Sequence, residues 1–311
     1  MKLSEILIFL EHLRSIDINS AWIELQNRLY AVRTHAVDHP VQIGALAHDI
    51  ATAMDNVQQS VGDFENHTAY LISQLEKLIR QYEPAYYRES QRLYEEEMRW
   101  ETNEYILNRR LLTDEDTDSC IRNRVKNYSD WRLPGMIIRP ALETHIEDLV
   151  PLDPLYVLDQ HDELITPAIT KFTPEYQRRL RPYIISDDHI HPLDALPDNQ
   201  FGLILAYNFL NYKPIEVVKK YLQEFYCKLR PGGVAMFTYN NCDLPQGIAL
   251  AEKSFMCYTP GREIRSIAFN IGFENTFNQQ GQNELTWMEL KKPGEIVSLR
   301  GGQALARIAR R

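Results

Sequence analysis

What this sequence lacks narrows its class before any motif is read. It has no long apolar run: no window approaches the ~20 consecutive apolar residues that cross a bilayer. Hydrophobic residues still make up 44% of the 311, enough for an ordinary buried core. It has no recognisable cleaved export signal. The longest uncharged run in MKLSEILIFLEHLR is Ile6–Leu10, too short for the apolar part of a signal peptide, and acids flank it on both sides. Paired cysteines are missing. Cys120, Cys227, Cys242 and Cys257 are far apart and form no CxxC, which argues against a zinc site or a disulfide framework and suits a reducing compartment. An excess of basic residues is missing too. A formal net charge of −9 argues against sequence-independent binding to nucleic acid, which needs a basic face. The expectation is a soluble chain, not exported through a cleaved signal, with no membrane or nucleic-acid partner.

What is present divides into two parts. Residues 1–112 are patterned as helix. From Ile43 apolar residues recur at steps of three and four through Ala47, Ile50, Met54, Val57, Val61, Phe64, Leu71, Leu75, Leu78 and Tyr82, with Thr68 the one polar position. Two seven-residue series interleave here, the pattern of a coiled-coil seam. Over 43–82 such a helix would be roughly 60 Å long. Ala51, Ile72, Ile79, Leu46 and Ala53 widen the stripe beyond two strands and predict three or more helices around it. Those helices come either from neighbouring subunits, making the chain a homo-oligomer through residues 43–82, or from an internal bundle. Gly44 and Gly62 each weaken the helix by up to about 1 kcal/mol, which packing must offset. Pro84 suits a kink or the start of a new helix, and beyond it the chain either folds back or runs on. The acidic stretch TDEDTDS opens an expected linker at 113–127.

From residue 128 to 297 the pattern changes. Short apolar runs, MII (136–138), LYVLD (155–159), YII (183–185), FGLILAYNF (201–209) and GVAMFTYN (233–240), alternate with helical stretches such as 175–181 and 215–229. Strand and helix in alternation predict an α/β domain with a parallel sheet covered by helices. ELTWMELK (284–291) is a late strand at or near an edge. The tail 298–311 is basic and broken by glycines. Within this domain, Met136–Leu164 has the outline of a nucleotide-binding strand–turn–helix–strand unit ending on an acid, yet its turn, IRPALE, contains no glycine.

LPDNQFGLILAYNFLNY, a helix, KLRPGGVAMFTYN and CYTPGREIRSIAFNIGFE together resemble class I S-adenosylmethionine-dependent methyltransferases over about residues 130–292. They look like that family's fourth strand, the LRPGG turn into its fifth strand, and a late helix entering an IGFE turn. The resemblance implies a Rossmann-like sheet, and the periodicity of the first part places an all-α, coiled-coil-forming domain before it. LRPGG has a structural reason of its own: Pro231 ends a helix and Gly232–Gly233 permits a positive-φ turn into a buried strand. The cofactor motif departs from the family. Its pattern LEIGPGLG falls on Met136–Glu143, so that Arg139, Ala141 and Glu143 replace glycines and Ile137 replaces an acid.

The resemblance implies cofactor contacts at Arg139, Ala141, Glu143, Asp159 (ribose hydroxyls), Asp187 and Asp188 (adenine) and Asn208 (the cleft above the fourth strand). An Asp at a strand end also caps the next helix or turns the chain, so a structural role stands beside the cofactor role for the three acids. Tyr239, Asn240, Asn241 and Asp243 are either substrate contacts or turn chemistry. His189 and His191 in DDHIHP face one way in an extended segment but show no partner cluster, and no metal site is assigned. The place after the fourth strand reads AYNF, without the proline-rich motif of amino-methylating relatives, and no residue is assigned a catalytic role.

Three readings follow. The first is a methyltransferase fold that no longer methylates, with S-adenosylmethionine binding lost, acting as an oligomeric structural or adaptor component. A phage or virus particle would suit such a design, which makes the expected location cytoplasmic or virion-associated. The second is an active S-adenosylmethionine-dependent methyltransferase with a divergent turn and unknown substrate. The third is a binding domain that keeps a nucleotide-like ligand at Asp159.

Overall fold

A computed structural model of the chain describes residues 7, 8, 11, 61–100, 115–140, 143–253, 256–280 and 285–295. Two compact units divide at Pro84, one covering Met1–Pro84 and the other Ala85–Arg311. Helix α1 spans Val61–Trp100 and carries Pro84 inside it. The chain therefore runs on past the proline. The expected seam is helical from Val61, and its first part, 43–60, lies outside the described residues. Of the seam positions, Leu71 is 42% exposed.

The second unit begins with the continuation of α1. Residues 115–128, placed mostly within the expected linker, are instead a helix, α2 (Glu115–Tyr128). Its acids lie in the first turns, where the helix dipole favours them. Its later residues dock on the sheet: Val125 is fully buried, and Arg124 donates to both carboxylate oxygens of the buried Glu289, Nε to Oε1 at 2.6 Å. The unit boundary at Pro84 likewise lies well before residue 112.

The sheet has seven strands, β1 (Gly135–Ile138), β2 (Leu155–Asp159), β3 (Leu180–Ile184), β4 (Phe201–Ala206), β5 (Leu229–Tyr239), β6 (Glu274–Gln280) and β7 (Thr286–Lys291). Their order is β3-β2-β1-β4-β5-β7-β6. β1 to β5 pair in parallel, while β7 runs antiparallel between β5 and β6. The reversal of order at β1/β4 is the switch point of a doubly wound sheet. The C-terminal half thus has the expected Rossmann-like α/β fold.

Burial on both faces explains why β1, β4 and β5 read as unbroken apolar runs. On one face α2 packs with α3 (Glu143–Asp148) and α4 (Asp162–Thr170), through Val125, Ile146, Ile165, Leu203 and Met236. On the other lie α6 (Ile215–Lys228) and α8 (Gly261–Ile271), through Val218, Tyr221, Phe225, Ile264, Ile204 and Phe237. The helices between, α5 (Pro174–Gln177) and α7 (Pro245–Glu252), are short. The helix expected over 175–181 shrinks to α5, because Leu180 already pairs with Leu155 as the first residue of β3. β6 escaped the sequence reading: ENTFNQQ is polar and mostly exposed, as an edge strand permits.

LRPGG turns the chain, though not by ending the helix at Pro231. α6 stops at Lys228 and β5 starts at Leu229. The turn is a bulge that places Leu229 opposite Phe201 and Val234 opposite Leu203. Gly232 has φ 81, donates to the Lys292 carbonyl at 2.9 Å, and Lys292 N returns a bond to Gly233 O. A Cβ at Gly233 would sit 2.7 Å from the Phe201 carbonyl oxygen. The expected IGFE turn is also present: Gly272 at φ 105 closes α8, with bonds from Gly272 N and Phe273 N to Ala268 O.

Candidate cofactor cleft

Doubly wound sheets bind ligands beyond the carboxyl ends of their strands, at the switch point. That is where Arg139, Asp159, Asp187 and Asn208 are found. β1 ends at Ile138, and Arg139 follows with φ 52, so the left-handed backbone of a glycine turn is kept by a residue with a long side chain. The strain of order 1–2 kcal/mol for such a conformation is met by local bonds. Arg139 N donates to Leu158 O at 2.8 Å. Its guanidinium donates through Nη2 to Gln160 Oε1 and lies 5.4 Å from the centre of the Phe209 ring. Arg139 is 6% exposed: the side chain turns inward. Ala141 lies outside the described residues; Glu143 begins α3.

Asp159 is fully buried at the end of β2. Its Oδ1 accepts from Gln160 N at 2.7 Å and from His161 N at 3.2 Å, turning the chain into α4, whose N-cap is His161. This is the turn-forming role weighed for a strand-end Asp.

Asp187 is the node of a buried network that the sequence did not disclose. Lys213 Nζ donates to Oδ2, Tyr94 OH of α1 donates to the same oxygen at 2.7 Å, and Tyr221 OH of α6 donates to Oδ1 at 2.6 Å. Burial alone would raise the carboxyl pKa. The Lys213 and Arg139 cations and the hydrogen bonds outweigh it and hold the group well below its ordinary value. The two phenols move the other way: burial first, then the Asp187 charge, pushes Tyr94 and Tyr221 up. Lys213 lies over two rings, 5.0 Å from Tyr94 and 5.3 Å from Phe209. Asp188, the neighbour, is exposed, and its N donates to Ser186 Oγ at 3.3 Å.

Asn208, at φ 50, is buried. Its N donates to Thr238 Oγ1 at 2.7 Å and its Oδ1 accepts from Asn211 Nδ2 at 3.0 Å. The residues after β5 take turn roles. Asn240 Nδ2 donates to Gly247 O at 2.9 Å and Cys257 O at 3.1 Å. Asn241 Oδ1 accepts from Gly261 N at 2.9 Å, and Asp243 accepts from Arg262 N at 2.6 Å. His191 Nδ1 is 2.9 Å from Glu224 Oε1, and among the described residues no cluster of three metal-ligating side chains occurs. No described helix is long and apolar enough to cross a membrane.

The second half of α1 covers this end of the sheet domain. Ser90 Oγ accepts from Tyr258 N at 2.7 Å. Tyr86 and Tyr87 pack on the Tyr258 ring at centroid distances of 5.1 and 5.2 Å. Tyr94 and Lys213 were missed because they come from segments 93 and 26 residues away from Asp187 in sequence. No local pattern around Tyr94 singles it out in the sequence.

No family model and no curated protein matches the chain. Among solved structures it is similar to an N-methyltransferase from Bradyrhizobium japonicum in complex with S-adenosyl-L-homocysteine, at 17% identity and TM-score 0.45, over 60% of this chain and 96% of that one. It is also similar to S-adenosylmethionine-dependent methyltransferases from Mesorhizobium loti, at 11% identity and TM-score 0.43 over 55% and 96% of the two chains, and from Aquifex aeolicus, at 12% and 0.41 over 54% and 87%. The likeness is one of fold, a seven-stranded Rossmann-like sheet with flanking helices in the C-terminal half.

Proposed function

We propose that this protein uses the methyltransferase fold as a non-catalytic module, serving as an oligomeric structural or adaptor component. One observation supports the reading: the polar side chains at the strand ends are buried and bonded to the protein's own groups. Arg139, Asp159, Asp187, Asn208 and Lys213 are all buried and bonded to one another's neighbourhood. The Asp187 carboxylate is already held by the Lys213 ammonium and two tyrosine hydroxyls. S-adenosylmethionine fits these residues poorly. A glycine turn lets backbone approach a ligand, whereas here a guanidinium lies inward from that turn. The exposed seam residue Leu71 supports assembly through the helical part, with residues 43–82 of other copies as partners.

Calorimetric titration with S-adenosylmethionine and S-adenosylhomocysteine, paired with melting temperatures, tests this reading. It expects neither heat nor a shift. Micromolar binding of both would overturn it in favour of a methyltransferase. That second reading has its own support: Arg139 keeps the left-handed backbone of the glycine turn, and Asp159 stands at the end of β2.

A further inference from the structure

The β2–β3 edge of the sheet separates its exposed charges by sign. α4 begins at the carboxyl end of β2 with Asp162 and Glu163, and Asp188 follows β3 at that same end. At the amino end, Lys171 closes α4, Arg178 precedes β3 and Arg181 is its second residue. All six side chains are exposed. Among the described residues, the three acids meet no cation and the two arginines meet no acid. Asp162 Oδ1 accepts from the Thr166 hydroxyl, and Arg181 donates to the Arg178 and Leu180 carbonyls. Elsewhere at the amino end, Arg179 stands 3.4 Å from Asp153, so these two cancel, and Glu175 offsets one further cation. Part of this placing serves α4 itself, whose dipole favours acids at its start and a base at its end. Arg178, Arg181 and Asp188 lie outside α4, so the dipole gives no reason for them. The two ends are separated by the five residues of β2, roughly 17 Å.

We propose that sheet domains of neighbouring copies stack head to tail, the Lys171, Arg178 and Arg181 end of one seated on the Asp162, Glu163 and Asp188 end of the next. The partner is a second copy of this chain, selected by charge. Side-by-side antiparallel pairing across β3 would match the signs too, but Pro182 in mid-strand removes an outward donor from that edge. A head-to-tail contact does not stop at a pair; it extends into a filament or a ring. Exposed ion pairs are individually weak and screened by salt, so the stack is reversible and salt-dependent. This contact deepens the oligomeric reading and rests on it.

The test uses the full chain carrying Leu71→Asp, which removes assembly through the helical seam, and follows average mass by light scattering. At low salt the mass should rise with concentration beyond about twofold. At about 0.5 M salt, where screening acts within a few Å, it should return to that of the monomer. Reversing the basic end with Arg178→Glu and Arg181→Glu should abolish the rise, as should reversing the acidic end with Glu163→Lys and Asp188→Lys. All four residues are exposed, so both reversed chains should keep their melting temperature. An equimolar mixture of the two should regain the rise, because each end again meets its opposite. Growth that stops at twofold would indicate side-by-side pairing and overturn the stack. A mass unchanged by concentration at low salt, or a mixture that stays monomeric, would overturn it as well. The chain without Leu71→Asp reads the seam separately: a salt-insensitive oligomer there, with no stacking in Leu71→Asp, would keep the oligomeric reading and sink this contact.

Discussion

Two turns of this sheet domain have the same backbone need and have met it in opposite ways. Gly232, in the bulge entering β5, has φ 81, and Arg139, after β1, has φ 52. The β5 bulge keeps two glycines, while the β1 turn has none. The difference lies in what stands next to each. At Gly233 the neighbour is backbone, the Phe201 carbonyl 2.7 Å from any added Cβ, and backbone of the central sheet cannot move aside. At Arg139 the neighbour is the space beyond the strand ends, where a side chain finds Gln160 and Phe209. A glycine demanded by the fold persists whatever the protein does. A position with open space beside it admits a side chain, provided the left-handed backbone is tolerated.

This contrast can be broken experimentally, beginning with the strongest effect. Lys213→Met should destabilise the domain by about 3–5 kcal/mol, the cost of stripping a buried charge of its partner, measured by urea unfolding. A cost below about 1 kcal/mol would show that the Asp187 network contributes little to the domain's stability. Gly233→Ala should cost about 1–3 kcal/mol from overpacking against Phe201, whereas Arg139→Gly, which relieves left-handed strain while losing buried bonds, should cost less than Gly233→Ala. The reverse ranking would dissolve the distinction between the two turns. Asp159→Ala should cost about 0.5–2 kcal/mol through the lost turn bonds to Gln160 and His161, with no change in any ligand titration.

The smallest effect is in pH. Asp187 is held below its ordinary value of 3.8. Its depressed folded pKa contributes stability that is present above that value and is lost as pH falls from there through the folded pKa. Across that acid range the wild type should therefore lose stability relative to Asp187→Asn, with the two curves parallel above about pH 5. Curves parallel at every pH would show that the carboxylate gains nothing from its cations. For the helical part, Leu71→Asp should lower the assembled mass measured by light scattering. A wild type monomeric at all concentrations would remove the oligomer from the account.

Much of the fold was legible in the sequence, since parallel strands buried on both faces announce themselves as apolar runs. MII, LYVLD and FGLILA mark β1, β2 and β4, and LRPGG and IGFE mark two turns. β6 was not legible because an edge strand needs little apolar surface. α2 was hidden because the acids that favour a helix N-terminus resemble those of a linker. The cleft was half legible. Arg139 and Asp187 could be placed from the strands around them, but Tyr94, Lys213 and Tyr221 come together only through tertiary packing, which leaves no local signature.

The most direct measurement of the central claim is hydrogen exchange of the wild-type chain with and without a saturating excess of S-adenosylhomocysteine. The filled cleft predicts identical rates at 136–140, 159–161 and 187–188. Slowing confined to those three segments would contradict it and show that a glycine-free turn still receives the cofactor.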